Sequence, residues 1–245
     1  MFQPLVGSWT QIIGVFASSG NVKSQMLSKI VLEATVLCEQ AGLLVHYVCT
    51  DGATWNRSMW HNLGVYGNGK NVKCKVTHPC DEDRFLHFIS DFPHLAKCVR
   101  NTLLKQGLNT HLGRAHWEHV STMWKLDNNS MTLKVAPKLT RSHIYPNGFD
   151  KMRVDLAFHI FSREAEHAIS FYKEDIERIY PNAEPTRAFV DLMARLIEAM
   201  TSRFPAEAMR PGSRKEATLD EALRFLDEWE AHAKGLGFLR VLLRG

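Results

Sequence analysis

Two short apolar segments set the strongest limit on how this chain can fold. LLVHYVC, at residues 43–49, and RFLHFIS, at residues 84–90, are rich in β-forming residues and have the length of buried strands. Each is closely followed by an aspartate, Asp51 or Asp91, and then by a helical pattern. The order helix, strand–Asp, helix, strand–Asp, helix predicts an α/β arrangement for this part of the chain.

Helical periodicity surrounds both strands. Apolar residues between positions 21 and 41 recur on one helical face, and Gly42 suits the end of that helix. Thr54 is a candidate cap for the next helix, and Pro93 suits the first turn of the helix after Asp91.

Beyond about Gly113 the strand pattern gives way to helices. Trp117, Val120 and Trp124 fall at helical spacing. The pattern then predicts one long helix at 151–178, another at 185–204, a linker at 205–217 and a last helix at 219–234. The sequence therefore predicts a mixed α/β segment followed by an all-α one.

Composition limits the environment and the partners. With 245 residues, 45% of them hydrophobic, the chain is long enough to bury a sizeable core. Its five cysteines include no C-x-x-C pair, and it has neither a signal peptide nor an apolar run of about 20 residues, so we expect a soluble, intracellular protein without a membrane partner. A formal charge of +4 allows a polyanionic partner without requiring one.

Two motifs imitate known sites. GVYGNGK, at residues 64–70, satisfies most of a Walker A pattern, but a helical pattern precedes it and Asn71 stands where magnesium binding needs Ser or Thr, so we expect a surface turn. CKVTHPC, at residues 74–80, has three potential zinc ligands, yet the sequence offers no second pair nearby to complete a four-ligand site.

Asp51 and Asp91 are the strongest candidates for chemistry. Both follow predicted strands, at the carboxyl ends where open α/β sheets place their ligands. If the strands are neighbours, the carboxylates converge, and divalent cations such as Mg²⁺ would stabilise the pair and support phosphodiester chemistry. From periodicity alone the alternative is that each aspartate caps a helix or makes a turn.

Three segments together resemble P-element-type DNA transposases, including the THAP-domain transposases. They are the opening MFQPLVGSWTQIIGVF, the segment TDGATWN with Asp51, Gly52 and Asn56, and the signature DFPHLAKCVRN at residues 91–101. The resemblance implies an RNase H-like catalytic domain in which Asp51 and Asp91 are the first two catalytic acids and bind Mg²⁺ or Mn²⁺. It also implies that Lys97 and Arg100 contact DNA phosphates.

The resemblance continues into the helical half. PKLTRSHIYPNGFDKMRVDLAFHIFS, at residues 137–162, is similar to the centre of the helical insertion that binds GTP in the family. The polar residues near its helix start are candidate GTP contacts, because phosphate is favourably held there: Lys138, His143, Asn147, Asp150 and Lys151. Alternatively, they cap and brace that helix.

The resemblance also implies a domain organisation. Residues 1–113 correspond to the N-terminal part of an incomplete RNase H-like domain, a mixed sheet with helices. Residues 114–217 correspond to the GTP-binding insertion, and residues 218–245 to a helix leading toward the missing end of the catalytic domain.

One departure affects the expected activity. Family members place a third acid, a glutamate, in a motif similar to Q-D-x-L-E-x-F-F-G after the insertion, and this sequence contains no such motif. We therefore expect the chain alone to be inactive.

The expected context is cut-and-paste transposition in the nucleus, with transposon ends and target DNA as partners and possible homo-oligomers of the full-length protein. The alternative is a non-catalytic GTP- or nucleic-acid-binding remnant, or a domesticated interaction protein.

Overall fold

The computed structural model describes residues 1–5, 7, 9–17, 20, 22–68, 71–131, 133–202 and 204–235. The chain divides into two compact units, Met1–Asp91 (unit 1) and Phe92–Gly245 (unit 2). The fold has the mixed α/β part and the helical part that the sequence predicts.

Unit 1 contains a three-stranded mixed sheet with two helices and a small hairpin. Its elements are α1 (Ser24–Gln40), β1 (Tyr47–Thr50), α2 (Thr54–Asn62), β2 (Tyr66–Asn68), β3 (Asn71–Lys73), β4 (Lys75–His78) and β5 (Asp81–Ser90). The sheet order is β1-β5-β4, with β1 parallel and β4 antiparallel to β5, while β2 and β3 pair antiparallel.

Helix α1 ends as the sequence predicts. Gly42 has φ +80°, a left-handed conformation that glycine adopts without a Cβ penalty. The Gly42 amide donates to the Glu39 carbonyl and the Leu43 amide to the Cys38 carbonyl, which is the Schellman arrangement.

Strand β1 is shorter than the predicted 43–49. The Glu39 carboxylate accepts from the Val45 amide at 2.6 Å, and Arg84 donates to the Val45 carbonyl at 3.2 Å. Side chains thus satisfy the backbone before residue 46, where the bonds to β5 begin. The predicted cap for α2 is wrong, because Ala53 occupies the cap position and Thr54 is the first helical residue.

The core of unit 1 lies on one face of the sheet. Along β5, Leu86 and Phe88 are buried, whereas Phe85 and Ile89 on the opposite face are 45% and 44% exposed. Trp60 of α2 packs edge-on against Phe88, with ring centroids 6.1 Å apart. Helix α2 is therefore fixed to the strand that leads to Asp91.

Unit 2 is helical apart from one hairpin. Its elements are α3 (Phe92–Gln106), β6 (Leu108–Thr110), β7 (Gly113–Ala115), α4 (Trp117–Asn129), α5 (Arg141–Ile144), a 3₁₀ turn (Asp150–Met152), α6 (Val154–Ile160), α7 (Arg163–Phe171), α8 (Lys173–Ile179), α9 (Glu184–Met200), a second 3₁₀ turn (Pro205–Glu207) and α10 (Arg214–Gly235). The sequence did not predict the hairpin β6–β7, whose strands have only three residues each.

The predicted single helix at 151–178 is wrong. Three helices, α6, α7 and α8, replace it. The first break lies at Phe161, and Ser162 then caps α7 by accepting from the Ala165 amide at 3.2 Å. The break buries both Phe161 and Ile169 in one core, at 1% and 0% exposure.

The predicted linker is partly helical, since α10 begins at Arg214. Phe225 and Trp229 of α10 pack against Phe189 of α9, with centroids 6.2 and 6.0 Å from its ring. Thus α10 belongs to the core of unit 2. Within the described part of the chain, no helix has the length and apolar character needed to cross a membrane.

Candidate metal and nucleotide sites

Asp51 and Asp91 stand at neighbouring strand ends in unit 1. Thr50, the last residue of β1, is in register with Ser90, the last residue of β5. The Asp91 amide then donates to the Thr50 carbonyl at 2.8 Å. Because the strands run parallel, both aspartates leave the same edge of the sheet. The prediction that they end adjacent strands is confirmed, while the expected carboxylate separation of about 4–7 Å and metal binding stay predictions.

The Asp51 side chain is held from the start of α2. Its Oδ1 accepts from the Ala53 amide at 3.0 Å and from the Asn56 side-chain amide at 2.7 Å. Two donors on one carboxylate oxygen fix its orientation. Asp51 therefore helps to start helix α2, as the alternative of a helix-capping role predicts. Its position also suits a metal ligand.

The surroundings of Asp91 include the thiol of Cys49. Cys49 pairs with Ile89 in the ladder, two residues before Asp91. Desolvation of the sulfur, followed by the charge of Asp91, raises the pKa of the Cys49 thiol, although the residue as a whole is exposed. The thiol therefore lies close enough to Asp91 to be affected by its charge.

The two carboxylates offer the hard oxygen ligands that Mg²⁺ and Mn²⁺ prefer. Neither aspartate is fully buried, so a cation could approach them. However, the described residues contain no group of three or more His, Cys, Asp or Glu side chains placed to hold a metal ion. The carboxylates of Asp51 and Asp91 have the right chemistry for a divalent ion. Two carboxylates are fewer ligands than a complete protein site would provide.

The motif CKVTHPC, at residues 74–80, has a structural role. His78 is buried, its Nδ1 accepts from the Cys80 amide at 3.2 Å, and its Nε2 lies 3.3 Å from Glu39 Oε1. Arg84 also contacts both oxygens of Glu39, at 3.0 and 2.9 Å. These contacts lock the β4–β5 turn to the end of α1, and His78 does not converge with the cysteines as a zinc ligand.

The described part of the glycine-rich segment includes strand β2, which pairs with β3. In this pairing Asn68 lies opposite Asn71. Gly69 and Lys70 lie outside the described residues. The helix α2 precedes this segment, where a Walker A loop would follow a buried strand.

The two predicted DNA-contacting residues of unit 2 differ in exposure. Lys97 is half-buried on α3, whereas Arg100 is fully buried. Arg100 donates to the carbonyls of Asp150 and Lys151 at 3.3 and 3.1 Å, and to the Asn101 side chain at 2.8 Å. Because the Arg100 side chain is fully buried, a phosphate could reach it only after local rearrangement, and DNA contact by Arg100 stays a prediction.

His143 is turned inward in unit 2. The Thr140 amide donates to His143 Nδ1 at 3.0 Å, so the neutral ring carries its proton on Nε2 and donates to His159 Nδ1 at 3.0 Å. Burial, and then the neighbouring His159, lower the pKa of His143 to about 4. No sequence pattern indicated His159 as its partner, because their separation of 16 positions matches no helical spacing.

The other predicted GTP contacts also have partners within unit 2. Asn147 and Asp150 bond reciprocally, each backbone amide to the other side chain, at 3.1 and 2.9 Å. Lys151 is exposed, and its carbonyl accepts from Arg100. Lys138 is 59% exposed in its side chain and pairs with Glu164 at 2.6 Å.

Exposed apolar side chains lie between and beside these polar residues along the sequence. Tyr145, Phe149 and Met152 are 51%, 80% and 61% exposed. Arg141 lies 5.7 Å from the centroid of the Tyr145 ring. The segment from Lys138 to Arg153 thus combines exposed cations with exposed rings.

Comparisons with known proteins match both units. A model of the TNP-like RNase H N-terminal domain matches residues 1–64, which include Asp51. A model of the TNP-like GTP-binding insertion domain matches residues 93–211, which include the predicted GTP contacts. Asp91 lies between the two matches.

Individual proteins give the same result. The chain is 29% identical over 166 residues to the Transposable element P transposase of Drosophila melanogaster, covering 66% of this chain and 21% of that protein. It is 22% identical over 203 residues to the DNA transposase THAP9 of Homo sapiens, covering 81% and 22%. The chain therefore spans about a fifth of the length of these relatives.

A solved structure shows the same fold. The Drosophila P element transposase strand transfer complex matches with a TM-score of 0.66 and 24% identity, over 84% of this chain and 45% of that chain. Residues 1–64 and 93–211 are therefore similar to the TNP-like RNase H N-terminal domain and to the TNP-like GTP-binding insertion domain. The chain as a whole is similar in sequence to the P-element-type transposases.

Proposed function

We propose that this chain is the central part of a cut-and-paste DNA transposase, in which Asp51 and Asp91 hold Mg²⁺ or Mn²⁺ and the helical unit binds GTP. The observation that carries the proposal is the position of the two aspartates, at the ends of strands joined by the Asp91–Thr50 backbone bond. The kinship with P-element-type transposases supports DNA as the substrate, and we propose nuclear residence and a homo-oligomeric full-length protein for the same reason.

In this proposal the chain's own residues arrange the charge. The parallel strands β1 and β5 end side by side, which supports a shared position for the two carboxylates, and α2 holds the side chain of Asp51. Asp51 and Asp91 would hold the divalent ion, which would supply the positive charge that activates an attacking oxygen and stabilises the leaving one. Lys97, on α3, is the more exposed candidate for a DNA phosphate contact.

Metal binding is testable on the whole 245-residue chain. We expect Mn²⁺ to broaden the amide resonances around residues 51 and 91 selectively, and Asp51→Asn or Asp91→Asn to weaken that broadening strongly. Asp83→Asn is the matched control, because Asp83 is an exposed aspartate in the same unit. Broadening that is unchanged in both aspartate variants would refute the metal site.

Catalysis needs a further acid. Since two carboxylates align a metal poorly, we expect the purified chain to cleave no DNA with Mg²⁺ or Mn²⁺. Robust cleavage that is lost in Asp91→Ala would show that another ligand exists in the chain.

For GTP, the exposed Lys138 is the best candidate contact. Its partner Glu164 has a lowered pKa, chiefly through the hydrogen bond from Lys138, so the Glu164 carboxylate is ionised at neutral pH. A nucleotide phosphate would take the place of Glu164 on the ammonium group. This exchange would retain the charge-assisted bond that the lysine already makes.

A titration with fluorescent GTP tests this assignment. Lys138→Ala should weaken binding by roughly ten- to a hundredfold, the effect of losing a bond worth about 1.5–3 kcal/mol. Glu164→Gln should strengthen binding, because it removes the competing carboxylate. We also expect GTP to bind more tightly than ATP. Lys70→Ala is the control, since the glycine-rich segment is not expected to bind nucleotide; if it alone weakens binding, the assignment to unit 2 is wrong.

A second candidate is a non-catalytic GTP- or nucleic-acid-binding protein. The lack of a metal-holding group of three or more side chains among the described residues favours it. GTP binding without Mn²⁺ binding would support this candidate over the transposase fragment.

A further inference from the structure

We propose that Asn56 is a positioning residue that fixes the Asp51 carboxylate in the orientation in which the metal binds. This inference rests on the proposed metal site and adds a residue from α2 to it. The carrying observation is the 2.7 Å bond from Asn56 Nδ2 to Asp51 Oδ1.

The bond has a defined direction. An ionised carboxylate only accepts hydrogen bonds, so the amide nitrogen of Asn56 must face Asp51 and donate. The Ala53 amide donates to the same oxygen at 3.0 Å. Rotation of the carboxylate would break both bonds at once.

The position of Asn56 is itself fixed by packing. Met59, on the same helix, is completely buried, and Trp60, one turn after Asn56, packs against Phe88 of β5. The core of unit 1 therefore sets where the Asn56 amide points. The same strand β5 carries the chain to Asp91.

Such a support differs from a helix cap. The Asp51 carboxylate already accepts a hydrogen bond from the Ala53 amide at the start of α2. Asn is also a weaker helix former than Ala. The role that remains for the Asn56 amide is to hold the carboxylate. Hydrogen-bonded partners of metal ligands typically change metal affinity by tenfold or more when they are removed.

The experiment is a Mn²⁺ titration of the whole chain, with bound metal followed by electron paramagnetic resonance. Asn56→Leu keeps the side-chain shape and removes the donor, and we expect about tenfold weaker Mn²⁺ binding. Asn62→Leu is the matched control on the same helix, because Asn62 donates to Ser24 Oγ instead. Asn56→Ala replaces Asn56→Leu if the leucine unfolds α2, as judged by circular dichroism.

A double-mutant cycle separates positioning from a structural effect. If Asn56 acts through Asp51, Asn56→Leu should change the residual Mn²⁺ affinity by less than about twofold in an Asp51→Asn background. Equal losses in both backgrounds, or no loss in the single variant, would overturn the inference while leaving the metal site intact. A wild-type chain that binds no Mn²⁺ would overturn the proposed metal site and this inference together.

Discussion

The two units bury apolar residues to very different extents. Among the described residues, unit 1 has a core cluster of three fully buried apolar side chains, Val65, Leu86 and Phe88. Unit 2 has one continuous cluster that draws on α3, both strands of its hairpin and most of its later helices. In unit 1 the bidentate contact between Arg84 and Glu39 joins strand β5 to helix α1. The small apolar core, as far as the structure describes it, does not join these two elements.

This difference in core size affects how well each unit tolerates the loss of a buried side chain. Truncating one side chain removes a smaller share of the packing in a large apolar core than in a small one, so unit 1 should tolerate such a loss less well. The candidate metal ligands belong to the unit with the smaller core, in line with the general tendency of functional segments to have low local stability.

The largest expected effect comes from matched core truncations. Leu86→Ala and Ile169→Ala both remove side chains that are completely buried. Each should cost about 2–5 kcal/mol. We expect that cost to unfold unit 1 and only to destabilise unit 2, as measured by hydrogen exchange resolved by peptide. Phe85→Ala, on the exposed face of β5, is the control; equal tolerance of the two buried truncations would break the comparison.

Acid should weaken unit 2 first. His143 has its pKa lowered from 6.5 to about 4, so it is neutral in the folded state, and its contribution is complete above about pH 6.5. Between pH 6.5 and 4 the unfolded state binds the extra proton, and up to about 3 kcal/mol of stability is lost as the pH falls. Hydrogen exchange of unit 2 at pH 7 and pH 5 measures this loss. His143→Gln should flatten the dependence, and His167→Gln, at an exposed position, should not.

Unit 1 should respond to acid in a lower window. The hydrogen bond from Arg84, chiefly, holds the pKa of Glu39 at about 2, against a usual 4.5. Its stabilisation is complete above about pH 4.5 and is lost as the pH falls through about 2. Glu39→Gln should lower the urea midpoint of unit 1 at pH 7 and weaken its dependence on pH below 4.5. Glu33→Gln, exposed on the same helix, is the control; if it has the same effect, the clamp is not the cause.

The smallest effect should come from the surface pair of Lys138 and Glu164. Such exposed ion pairs contribute less than about 1 kcal/mol, so Lys138→Ala should leave the urea midpoint of unit 2 almost unchanged. This separates a binding role from a structural one. A large loss of stability in Lys138→Ala would show that weakened GTP binding reflects unfolding.

The sequence predicted best what local patterns determine. The helix ending at Gly42, the strand before Asp91 and the apolar stripe of α9 follow from periodicity and from glycine's freedom at φ +80°. The break at Phe161 could not be read locally, because both flanking segments have helical periodicity and only the shared core decides their directions.

The site residues also divide into those that local patterns predict and those that depend on tertiary packing. The adjacency of Asp51 and Asp91 followed from two strand ends and the general rule for α/β sheets. The burial of Arg100 and the partnership of His143 with His159 depend on tertiary packing, which gives no signal in the spacing of residues.

The parallel pairing of β1 with β5 has a consequence for the order of folding. The β4–β5 hairpin joins neighbouring segments, whereas Tyr47 of β1 must find His87, about forty residues away. Closing such a loop costs more chain entropy than closing a hairpin, and pairings of this kind form slowly. During synthesis the two aspartates would therefore meet only after the hairpin exists, and a chain released before β5 would contain Asp51 without its partner strand.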